Sequence, residues 1–222
     1  GDFYASAIDT ATINARGLEP IQADLAAIAA AKSTEDLIVL AAKLHVGIGS
    51  PFLGAAFYPD QKQSDRYGFY LSQGGMSLPS KEYYFSDKFA RERWEYLGHV
   101  AKMLELAGVA RADAYRQAEA IFAFEKSLAA NAKLPVELRD RIANYNKMTI
   151  ADAIAAYPGV PLQRFIAELG VPAGVTDVIV GQPKFFEGLS QAMQHAPLDD
   201  LKAYLRWQLL RSSAPYLSAA FE

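Results

Sequence analysis

The chain has 222 residues, no cysteine, and 22 Lys plus Arg against 25 Asp plus Glu, for a net charge of −3. The missing cysteine removes disulfides, thiolate nucleophiles and cysteine-ligated zinc, and cations scattered among anions make no field to hold nucleic acid. Hydrophobic residues at 51% and charged residues at 21% are the balance of a chain that folds around a core, and the longest uncharged apolar stretch, residues 44–58, is too short and too rich in glycine to span a bilayer.

The first predicted element is a helix opened by Pro20, in a first turn where the missing N–H costs nothing, with Ile21, Leu25 and Ile28 on one face. Ser33 or Thr34 caps the next helix, with Glu35 and Asp36 at the positive end of its dipole, and it ends near Gly47. Between Gly47 and Pro79 the chain turns glycine-rich and aromatic. The runs 54–58 and 66–72 predict a β-hairpin joined by the polar turn 59–65. Ser86 caps a long helix to about Ala107, where Leu97, Val100 and Leu104 form a stripe that Gly108 ends. A second long helix, from about Arg111 to Ala132, carries Ile121, Phe124 and Leu128. The short connection between the two predicts an antiparallel scaffold pair.

Shorter elements follow: a helix from the Thr149 cap to Tyr157, one from Pro161 to Leu169, a brief strand at 175–180, and a helix from Pro183 to His195. The last helix sets Leu198, Leu201, Leu205 and Leu209 on one face, with Asp199 and Asp200 in its first turn and Arg211 in its last. The fold class read from this order is mainly α, a multi-helix, bundle-like lobe with a small β-hairpin, forming a single region over residues 1–222.

No motif completes a catalytic or metal constellation. His45, His99 and His195 stand alone, none with a second histidine four residues away. The glycine-rich loop 47–54 has Ala55 and Ala56 where a phosphate-cradling loop needs Lys and Ser or Thr, and Phe52 where a dinucleotide fingerprint needs its third glycine. Ser77 is followed by Leu78 and Pro79, and proline there cannot form a nucleophile elbow. The chain by itself is therefore expected to catalyse nothing and to bind no cofactor.

Five segments taken in order carry a resemblance. They are Phe3-Tyr4 with Asp9-Thr10 and Gly17-Leu18-Glu19-Pro20; Asp60-Gln61-Lys62-Gln63-Ser64; Leu78-Pro79-Ser80-Lys81-Glu82-Tyr83-Tyr84; Arg139-Asp140 followed by Tyr145-Asn146-Lys147-Met148-Thr149; and Tyr204-Leu205-Arg206-Trp207 with Ala214-Pro215-Tyr216-Leu217-Ser218. Together they resemble the N-terminal part of the neprilysin and endothelin-converting-enzyme family of zinc metallopeptidases, family M13. Lys81 and Glu82 stand where the family has Arg and Asp, Gln63 replaces Asn, and Arg141 replaces a frequent proline. Lys81 lacks the planar fork of arginine.

The resemblance implies a zinc held in a C-terminal catalytic lobe by the histidines of H-E-x-x-H and a downstream glutamate. Neither motif occurs in this sequence. This chain would then be the non-catalytic helical lid lobe, with the catalytic lobe of the same protein and short peptides as partners, and a bacterial periplasmic, cell-envelope or secreted location. Tyr83, Tyr84, Arg139, Tyr145 and Asn146 are the candidates to line the substrate cleft; the competing reading makes them hydrogen-bonded fixings of the turns between helices. The alternative functions are a stand-alone peptide-binding module and a helical interaction domain.

Overall fold

The computed structural model describes residues 9–221, the side chain of Ile48 excepted, so Phe3 and Tyr4 of the first segment lie outside the described residues. The fold is mainly α. Helix α1 (Thr10–Arg16), unforeseen in the sequence, starts where the Asp9 carboxylate accepts the Thr12 N–H. Pro20 opens a 3-10 turn that leads into α2 (Gln22–Ala30). Of the two possible caps for α3 (Thr34–Ile48), Ser33 is the one used: its hydroxyl accepts the Asp36 N–H at 3.0 Å.

Strands β1 (Leu53–Pro59) and β2 (Tyr67–Gln73) form the predicted hairpin. A short helix, α4 (Lys81–Phe85), precedes the long one, and Ser86 caps a 3-10 turn before α5 (Ala90–Leu106) begins. Next come α6 (Arg111–Ala130), β3 (Asn146–Thr149), α7 (Ile150–Ala156), α8 (Leu162–Glu168), β4 (Asp177–Val180), α9 (Pro183–His195) and α10 (Leu198–Ser213). Helices α5 and α6 pack on each other as the predicted pair, and α6 also carries α9 and α10. Trp207, Tyr204, Phe52, Phe185 and Phe186 fill the centre of one core that runs from Ile21 to Phe221.

The hairpin proves to be half of a larger sheet. Four strands run in the order β1-β2-β4-β3, with β2 and β4 parallel and the other two pairs antiparallel. The apolar Val178, Ile179 and Val180 make β4 a central strand, which in turn recruits Asn146 to Thr149 as an edge although those residues show no strand pattern of their own. Alternation sets Leu53, Phe69, Leu71, Val178 and Val180 against the helices, all of them buried. The opposite face carries Gly54, Ala56, Tyr58, Tyr70 and Ser72. A Cβ on Gly54 would meet the Ser72 hydroxyl, so a larger residue there would require the Ser72 side chain to turn aside.

Candidate functional site

The open face of the sheet forms one wall of a groove of about 580 Å³. Tyr58 (59% exposed) and Tyr70 meet edge to face at 6.0 Å on this wall. Leu138 and Asn144 form the opposite wall, and Gly181 and Gln182 lie at the base.

A chain of amides holds these walls together. The Gln73 N–H at the end of β2 donates to Gln182 Oε1 at 2.8 Å, and Gln182 Nε2 donates to Asn144 Oδ1 at 3.1 Å. Asn144 Nδ2 then donates to the carbonyls of Glu137 and Asp140 at 2.9 and 2.6 Å, and Lys133 Nζ donates to Asn144 Oδ1 at 2.9 Å. Both amides are nearly buried, so these bonds make the loop a fixed wall, because an unmet polar group there would cost about 1–3 kcal/mol.

The turn after β1 is tied to the start of β3. Tyr145 O–H donates to the Asp60 carboxylate at 3.0 Å, and Lys62 Nζ sits 4.5 Å from the Tyr145 ring centre. The Lys62 backbone N–H at 2.8 Å, ahead of the Tyr145 bond, holds the Asp60 carboxyl below its usual range. Burial and the bond to Asp60 push the Tyr145 phenol up to about 12.

A second polar centre lies inside the helices. Glu125 of α6 is fully buried, and its carboxylate accepts from Ser77 Oγ at 2.6 Å, Tyr84 O–H at 2.8 Å, Tyr96 O–H at 2.9 Å and Gln208 Nε2 at 3.2 Å. Trp207 Nε1 donates to Ser77 Oγ at 3.0 Å, and Tyr204 O–H donates to the Gly75 and Pro51 carbonyls. Gly75, at φ +77°, passes so close to Tyr204 and Pro51 that no Cβ fits. Burial pushes the Glu125 carboxyl up and the Tyr84 and Tyr96 phenols well above their ordinary values.

The five cleft candidates fall into two groups. Tyr84 is 1% exposed and points to Glu125, while Tyr83 stacks on Phe89 at 4.0 Å between ring centres. Arg139, Tyr145 and Asn146 share the segment beside the groove: Arg139 is exposed, Tyr145 binds Asp60, and Asn146 Nδ2 donates to the Val180 carbonyl at 3.0 Å. The structure thus joins the second segment to the fourth through Asp60 and Tyr145, and the third to the fifth through Glu125. Sequence reading missed Tyr58, Asn144, Gln182 and Glu125. Only Glu125 had a local signal, lying four residues after Ile121 and three before Leu128 on the apolar stripe of α6.

The histidines are engaged separately. His45 Nε2 donates to the Ala55 carbonyl at 2.8 Å, a bond that fixes its tautomer, His195 Nδ1 meets the Gln191 carbonyl at 2.7 Å, and His99 meets the Trp207 ring edge on at 5.6 Å. Among the described residues no three of His, Asp or Glu converge as metal ligands, so those residues do not fit a zinc ion.

The N-terminal model of peptidase family M13 matches residues 1–222. Endothelin-converting enzyme 1 of Cavia porcellus is 28% identical over 180 residues, 78% of this chain and 24% of its own length. Neprilysin-3 of Drosophila melanogaster is 30% identical over 181 residues, 76% of this chain and 23% of its own. The crystal structure of the Mycobacterium tuberculosis zinc metalloprotease Zmp1 in complex with an inhibitor superposes with a TM-score of 0.93 at 30% identity, covering 100% of this chain and 34% of that one. The chain therefore spans about a quarter of the length of its curated relatives and about a third of that solved structure.

Proposed function

This chain belongs to peptidase family M13, and from that premise we propose that it is the helical lobe that closes over the catalytic lobe of a neprilysin-like zinc metallopeptidase. By walling the cleft it limits substrates to short, unfolded peptides. Peptide-bond hydrolysis belongs to the catalytic lobe, where zinc supplies the activated water; this chain contributes exclusion of bulk water and of folded protein.

The observation that carries this reading is the groove on the open sheet face. Its volume lies within the ordinary range for ligand sites. Its surface pairs Tyr58, Ala56 and Leu138, which can cover apolar side chains, with Ser50, Ser72 and Tyr70, which can bond to peptide amides. The amide chain through Gln182 and Asn144 keeps that surface in shape before a peptide arrives. A periplasmic, cell-envelope or secreted location belongs to the same proposal; among the described residues no helix is long and apolar enough to cross a membrane.

The test uses the longer parent protein. Tyr58→Arg and Ser72→Arg should raise KM for a short peptide about tenfold while leaving bound zinc unchanged. Unchanged kcat/KM in both variants would remove the groove from the cleft. A parent that cleaves folded proteins as readily as short peptides would overturn size restriction. The 222-residue chain alone should cleave no peptide.

A further inference from the structure

Arg206 is a half-buried cation without a counter-ion among the described residues. It projects from α10 into a cavity of about 300 Å³, bounded by Gln22, Leu25 and Ala29 of α2 and by Gly108 and Val109 in the turn between α5 and α6. Its Nη1 donates to the neutral Gln117 Oε1 at 3.2 Å, and among the described residues no carboxylate lines the cavity. The carbonyls of Met103, Glu105 and Leu104 that end α5 accept the amides of Ala107, Gly108 and Val109 rather than the guanidinium. Lys202, one turn earlier on α10, donates to the Ala29 carbonyl at 3.2 Å and lies 3.9 Å from Asp199, so it has partners that Arg206 lacks. Burial without an anion pushes the guanidinium below its usual pKa.

A guanidinium has five N–H donors in a planar fork, and partly desolvating it against one neutral acceptor is unfavourable unless an anion joins it. We propose that this cavity between α2 and α10 is a binding site for a carboxylate on a short aliphatic chain. The two carboxylate oxygens take the Arg206 fork, as such pairs do side by side. The aliphatic part lies against Leu25, Ala29 and Val109. The site is independent of the cleft reading, since it uses neither the sheet face nor any catalytic lobe.

The experiment titrates butanoate, with the neutral isostere butanamide as control, into the nitrogen-15-labelled 222-residue chain. Butanoate should give saturable shifts at the Arg206 Nε–H and at the Ala29 and Val109 amides, and butanamide should give none. Arg206→Gln should weaken binding tenfold or more. Arg206→Met keeps the aliphatic stem, so its thermal midpoint without ligand should be equal to or above that of the parent chain, and butanoate should raise the midpoint of the parent chain only. Equal shifts with butanamide, or shifts that survive in Arg206→Gln, would overturn the proposal; so would a lower midpoint in Arg206→Met together with no butanoate effect on the parent chain. Repeating the titration on the longer protein separates the source. Persisting butanoate binding marks a site for a free acid, and an Arg206 Nε–H already shifted and unresponsive marks an acidic side chain of the same protein seated there.

Discussion

Glu125 is wholly buried and forms no ion pair among the described residues, yet four donors converge on its carboxylate. Its folded pKa lies above the ordinary range. The stability it contributes is therefore fully present below the unfolded pKa and is lost as pH rises through the folded one. Glu125→Gln should gain on the parent chain as pH rises above the ordinary carboxylate range, read by urea unfolding at a series of pH values; parallel curves would show that the carboxyl is not shifted. Glu125→Leu leaves the Ser77, Tyr84 and Tyr96 hydroxyl donors unmet, while Gln208 Nε2 keeps the Gly75 carbonyl, and should cost about 4 kcal/mol. Asp60 has the opposite sign: its lowered pKa gives stability present above the unfolded value and lost as pH falls through the folded one. Tyr145→Phe removes one of its donors and should raise the Asp60 pKa, observable by carboxyl NMR titration.

Among the elements, most helices were legible because their signals are local, α1 and the short α4 excepted. Thr149, read as a cap from the sequence, accepts the Asp152 N–H at 3.0 Å, and Thr149→Ala should cost about 1 kcal/mol in thermal or urea unfolding. Strand β3 and the groove wall were not legible. Asn146 to Thr149 has no apolar alternation, and the bonds that order the wall join Gln73 to Gln182 and Gln182 to Asn144, far apart in the chain. Gln182→Leu removes both bonds and should cost about 2–3 kcal/mol. Hydrogen exchange should then speed up at the Gln73 amide and across 137–144, whereas unchanged protection there would show that the wall holds without that amide.

For the whole molecule, one hydrophobic cluster joins residues from Ile21 to Phe221, with α6 touching α5, α9 and α10. Because this cluster of described residues draws on the sheet and most of the helices, unfolding should be a single cooperative step. Two tryptophans make this measurable: Trp94 is 76% exposed and Trp207 is 1% exposed. In Trp94→Phe, the Trp207 fluorescence transition in urea should coincide with loss of helical circular dichroism. Separate midpoints would reveal two folding units and weaken the description of the lobe as one body.

The sequence by itself determined the mainly α class, most helices and their ends, the hairpin and the family resemblance. All of these are written in spacings of a few residues or in linear motifs. Only the tertiary structure decided that Glu125 lies inside rather than on the surface, that β4 draws β3 into the sheet, which sheet face stays open, and that Arg206 has no counter-ion among the described residues. Each depends on groups distant along the chain, such as Ser77 with Glu125 or Gly75 with Gln208, separated by 48 and 133 residues. Periodicity reports which side of an element is apolar; what that side meets is settled only when the elements pack.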